Sequence, residues 1–127
     1  MYHGDIALEA TIDIKFTTVD GAGVPTLLAG SPVISAYIGN SITQLTAGIT
    51  LTVDFDGIVG LNNVRVVATA ANGYTATTNV ALVITTGTVD SLSVVGYVIG
   101  SFSIAHRSAL MPTVAARTLD ISSGGEE

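Results

Sequence analysis

Residues 10–18 read ATIDIKFTT, and their alternation decides the fold class. Ile12, Ile14 and Phe16 fall on one side of an extended chain, whereas Thr11, Asp13, Lys15 and Thr17 fall on the other. A period of two with one apolar and one polar face predicts a strand half-buried against a core. The same pattern returns at residues 49–55, where Ile49, Leu51, Val53 and Phe55 alternate with Thr50, Thr52 and Asp54. Residues 61–69 set Val64, Val66 and Val67 around an isolated Arg65, which is expected on a solvent face or paired with an Asp. Val80, Leu82 and Ile84 form another inward face, and residues 33–38, apolar on both sides, predict a central strand.

Residues 92–104 predict the longest strand, with Val94, Gly96, Val98, Gly100, Phe102 and Ile104 on one side. Two glycines leave that side locally bare, the mark of a bulge or of another backbone approaching closely. Punctuation separates these runs. Asp20-Gly21, Gly23, Pro25 and Pro32 make residues 19–32 a loop, and turns are expected at Gly39-Asn40, at Asp56-Gly57 and near Gly87 to Asp90. Asn72-Gly73 is the strongest turn dipeptide, because both residues tolerate positive φ.

Roughly seven strands spaced by turns predict an all-β fold, an antiparallel Ig-like β-sandwich over residues 1–104, although no Cys–Trp–Cys core marks a true immunoglobulin domain. Residues 105–127 (AHRSALMPTVAARTLDISSGGEE) have no period that would bury a face. Pro112 interrupts the best helical stretch there, residues 108–116. They are expected to form an extended C-terminal arm that lies on another subunit or on a larger assembly.

Composition agrees with strands. The 127 residues are enough for one domain with a sizeable core. They include 17 Thr and 10 Ser but only 11% charged residues, so side chains other than charges cover much of the surface. A small free domain usually wears charge of both signs, and one covered in Thr, Ser, Ala and Gly suits packing against neighbours. The net charge of −6 and the lack of any Lys/Arg cluster argue against nucleic acid. With no Cys, disulfides, thiolate catalysis and zinc–thiolate sites are excluded. The N-terminus shows no Sec signal pattern. The uncharged stretches 21–53 and 66–89 are interrupted every few positions by Gly, Pro, Asn, Ser or Thr, so neither predicts a membrane helix.

Candidate chemistry is sparse. The histidines are His3, near a terminus expected to fray, and His106, just past the last strand, and no G-x-S-x-G elbow surrounds a serine. Asp54-Phe55-Asp56-Gly57 has the opening spacing of a calcium loop, yet Ile58-Val59-Gly60-Leu61 follow where further oxygens would be needed. A strand end with an Asp-Gly turn accounts for it better. Gly21-Ala22-Gly23 lacks the third glycine and the helix of a dinucleotide fingerprint. Hence no catalytic residue, cofactor or metal is expected. Tyr74, just after the Asn-Gly turn, is a candidate for stacking on a sugar or a partner surface. Arg107 and Arg117 are candidates for pairing with acidic groups of a neighbouring subunit.

Residues 48–56 (GITLTVDFD) and 60–64 (GLNNV) together resemble a β-sandwich module of structural proteins in tailed bacteriophages and prophages. Residues 82–89 (LVITTGTV), 93–96 (SVVG) and 100–102 (GSF) are similar to that module's closing strands, so the resemblance covers about residues 5–104. Arg117, Leu119 and Ile121, followed by Gly124-Gly125-Glu126, are similar to a joint that follows the module in longer fibre-like phage proteins; here the chain stops where those continue. The resemblance implies a non-enzymatic virion structural protein, assembled in the host cytoplasm. It would be a capsid decoration (cement) protein or a tail, baseplate or fibre-anchoring module. Implied partners are other virion proteins and further copies of the chain, engaged through strand edges and the arm, with Arg107, Arg117, Leu119, Ile121 and Tyr74 as partner contacts. The alternative is a carbohydrate- or host-receptor-binding module using loops such as residues 40–46 and 70–75.

Overall fold

The computed structural model describes residues 1–105 and shows an all-β protein of two sheets facing each other across one core. The strands are β1 (Tyr2–Ile6), β2 (Thr11–Thr17), β3 (Leu28–Ile38), β4 (Ile49–Thr52), β5 (Leu61–Val67), β6 (Thr78–Val89), β7 (Leu92–Ser93) and β8 (Val98–Ile104). One sheet runs β2-β5-β4; the other runs β1-β8-β6-β3, with β7 paired to β6.

The alternation read from residues 10–18 becomes β2, whose Ile14 is buried while Thr11, Asp13, Lys15 and Thr17 are exposed. Opposite it on β5, Asn62, Val64 and Val66 point inward and Arg65 outward, and Ile49 and Leu51 of β4 add to the same layer. The facing layer supplies Ile34, Val80, Leu82, Ile84, Phe102 and Ile104, all at most 2% exposed. Removing such aliphatic and aromatic surface from water is what holds the two sheets together.

Several boundaries depart from the sequence expectation. Residues 2–6 form a strand, and β1 pairs with β8 in parallel, so this sheet is mixed rather than wholly antiparallel. The loop expected over residues 19–32 closes early, because β3 begins at Leu28 and passes through an irregularity between Ala29 and Val33. Gly30 and Ser31 both take positive φ there, and Pro32 is tolerated because β3 lies at a sheet border. Residues 33–38 were expected to be a central strand. They pair with β6 on one side, and on the other Ala36 exchanges both backbone hydrogen bonds with Leu45 (2.8 and 3.0 Å), so a loop segment covers them instead.

The last hairpin also shifts. β6 continues through Gly87 to Val89, and the turn falls on Asp90-Ser91, with φ of 51° and 64°. Positive φ at both positions is the two-residue hairpin geometry that matches strand twist. The expected unbroken strand over residues 92–104 is interrupted at residues 94–97. Leu82 then pairs with Gly100 and Val83 with Val98, leaving Ile99 as an extra residue that reverses the facing of what precedes it. Val98 is therefore exposed, while Gly100, Phe102 and Ile104 face the core. The bareness at Gly100 is taken up by His3 of β1: a Cβ there would lie 3.0 Å from the imidazole ring.

Candidate functional site

A cleft of about 570 Å³ opens where the two sheets part at one end of the sandwich. One wall is the end of β2 and the turn after it, from Phe16 to Gly21; the other is the β7–β8 hairpin, with Val94, Tyr97, Val98 and Ile99. Ile84 and Val89 of β6, both buried, also line it.

Local chemistry fixes both walls. Thr18 donates through Oγ1 to the Thr26 carbonyl (2.7 Å), and its amide donates to the Gly60 carbonyl (3.0 Å), which carries the β2–β5 pairing one residue past β2 before the chain turns. Asp20 Oδ1 accepts from the amides of Ala22 (2.8 Å) and Val24 (3.0 Å), which closes the turn on itself. Opposite, the Gly96 amide donates to the Ile84 carbonyl (2.8 Å) and the Ile84 amide to the Tyr97 carbonyl (2.9 Å). These two bonds hold residues 94–97 as a bulge off β6. Because the facing reverses at Ile99, apolar side chains are turned outward: Leu92, Val95, Tyr97 and Val98 are each more than half exposed. Scattered apolar residues on a surface are ordinary, but these four fall within seven positions, and Leu92, Tyr97 and Val98 among them line the cleft.

Asp20 is the charged side chain of this cleft, and among the described residues no Lys or Arg pairs with it. The cations of residues 1–105 are engaged elsewhere, on the outer face of the three-stranded sheet. Arg65 holds Asp13 through Nε–Oδ1 (2.9 Å) and Nη2–Oδ2 (3.0 Å). The hydrogen bond from Arg65, then that from Asn63, keeps the Asp13 carboxyl below its ordinary range, and Asp13 in turn raises Arg65. Lys15 donates to Asn63 Oδ1 (3.0 Å) and stands 4.5 Å over the Phe55 ring. Arg65 thus lies on a solvent face and is paired with an Asp at once.

Tyr74 does not belong to the cleft or to any surface. Its side chain is fully buried in the core cluster, so the expected sugar or partner contact at this residue is corrected. The short 3-10 turn Ala70–Asn72, capped by Thr69 Oγ1 accepting from the Asn72 amide, tucks the ring inward instead. Burial pushes the Tyr74 phenol up to about 12, and its hydroxyl has no hydrogen-bond partner among the described residues. Arg107, Arg117, Leu119 and Ile121 lie outside the described residues.

His3, expected at a fraying end, is part of β1, and its Nε2 is buried with no partner among the described residues. Asp54 Oδ1 accepts from the Gly60 amide (3.0 Å), which commits that carboxylate to the turn. No group of three potential metal ligands occurs among the described residues. The signal for the cleft was present in the sequence: residues 92–99 (LSVVGYVI) are apolar on both faces beside a turn, which a strand with one wet face should not be. Compared with protein-family models, curated proteins and solved structures, the chain matches none.

Proposed function

We propose that this chain is a non-enzymatic structural protein of a tailed-phage virion, docking on a larger capsid or tail lattice. The observation that carries the reading is the apolar rim of Leu92, Val95, Tyr97 and Val98, set on a rigid sandwich with few surface charges. Such a rim loses free energy when it is covered by a partner rather than by water. We further infer an Ig-like lineage for the fold. It is supported by the strand order, in which β2-β5-β4 face β8-β6-β3 and the first strand runs parallel to the last.

Strand borders contribute unequally to docking. The β3 border is interrupted at Gly30-Ser31-Pro32 and covered at Ala36, whereas among the described residues β1, β2 and β4 each pair on one side only. The test is incorporation into particles. Full-length chain with Leu92→Asp and Val98→Asp is expected to leave the particle fraction in a density gradient while remaining folded. A wild-type chain that never enters particles, in cells producing them, sinks the reading.

A second reading, a glycan- or receptor-binding module, is favoured by one observation: the exposed Tyr97 ring shares the cleft with Asp20 and Ser93. A glycan array separates the two. Saturable binding abolished by Tyr97→Ala supports the second reading, and an array without hits removes it.

A further inference from the structure

We propose that the cleft receives residues 106–121 of a second copy of this chain, joining subunits head to tail. The inference deepens the assembly reading above and rests on it.

Charge supplies the first argument. Residues 1–105 hold seven Asp and Glu against Lys15 and Arg65, and both of those cations are engaged on the outer sheet face. Asp20 therefore sits in the cleft with no internal cation to meet it. The other Lys and Arg residues of the chain are Arg107 and Arg117, and both fall in residues 106–121. That stretch also supplies Leu110, Met111, Val114, Leu119 and Ile121, the apolar groups that would cover an apolar rim. The complement of the cleft, aliphatic side chains flanked by guanidinium groups, is thus encoded in the same chain.

Direction supplies the second. β8 starts at Val98, in the cleft wall, and runs to Ile104, which pairs with Thr78 at the opposite end of β6. At about 3.3 Å per residue the chain leaves the sandwich roughly 20 Å from its own cleft. Sixteen residues span at most roughly 50 Å, ample for the cleft of a subunit stacked end to end. Reaching the subunit's own cleft requires retracing the whole sandwich. A contact between one end of a subunit and the other end of the next is heterologous, and it repeats into a ring or a filament.

The experiment uses the full-length chain in sedimentation velocity over rising concentration. Wild type is expected to form oligomers in a concentration-dependent way. Val98→Asp, which damages the cleft, and Arg117→Glu combined with Leu119→Asp, which damages the segment, are each expected to weaken association at least tenfold. Mixing the two variants leaves one intact cleft and one intact segment per pair, so dimers should form and nothing larger. Leu92→Asp repeats the cleft arm at a second exposed site. A wild-type monomer at every concentration overturns the inference. So does assembly unaffected by either class of variant, or a mixture that rebuilds full-size oligomers. Particle incorporation is scored in parallel: a chain that enters particles but never self-associates refutes this inference alone, and one that self-associates but never enters particles refutes the virion reading alone.

Discussion

Gly60 shows how a single position constrains the fold. Its φ of +84° lies in the left-handed region, and an added Cβ would meet the Thr26 amide nitrogen at 2.7 Å and Pro25 Cβ at 2.8 Å. The obstacle is largely backbone, which cannot rotate away, so backbone strain and overpacking act together. Gly60→Ala is expected to cost about 2–4 kcal/mol in urea unfolding. Tyr74 gives the opposite sign. Its buried hydroxyl lacks a partner among the described residues, so Tyr74→Phe should be neutral or stabilise by about 1 kcal/mol. The phenol is raised from its usual 10.0 to about 12, and burial favours its neutral form. Stability from this group is fully present below pH 10 and is lost as pH rises from about 10 to 12. A wild-type melting temperature that falls over that window, with a shallower fall in Tyr74→Phe, is the expected result. Sequence placed Tyr74 at a turn, which is correct. That the turn folds its ring inward depends on the cap at Thr69 and on the room beneath it, which no local pattern encodes.

At the scale of elements, β1 tests how an unheralded strand is held. It has no apolar alternation, since Tyr2, Gly4 and Ile6 share a parity and His3 and Asp5 the other, so hydrophobic periodicity could not find it. Its fixings are particular contacts: Tyr2 Oη with Ser103 Oγ (2.8 Å), Ser103 Oγ donating to Asp5 (2.8 Å), and His3 lying over Gly100. Gly100→Ala should push the His3 ring away and loosen β1, with faster amide exchange at residues 2–6 as the readout. His3→Ala removes the ring that the new methyl would strike. The double variant should therefore be less destabilised than the sum of the singles, by about 0.5–1.5 kcal/mol. By contrast, β2, β4 and β5 were legible because each has one wet face. The break at residues 94–97 was only hinted at by Gly96, which takes a φ of 102°, because the extra residue in β8 that reverses the facing leaves no local pattern of its own.

For the molecule as a whole, core and cleft should respond independently. Phe102 is fully buried, and Phe102→Ala is expected to cost about 3–5 kcal/mol, seen as a lower denaturant midpoint. Val98 is 59% exposed, so Val98→Asp should leave the melting temperature within a degree or two of wild type while weakening association at least tenfold. A large fall in melting temperature from Val98→Asp would mean that the rim is part of the core. The sandwich was readable from patterning, because one buried face per strand is a local property. The cleft was only hinted at, because it depends on how far two sheets part at one end.

The pairing of Leu45 with Ala36 has a consequence for crowding. Main-chain groups at the middle of β3 are already satisfied, and the kink at Gly30-Ser31-Pro32 spoils the straight line a stacking neighbour would need. Copies brought side by side, as in the proposed assembly, would thereby be kept from zipping into amyloid-like ribbons along that flank.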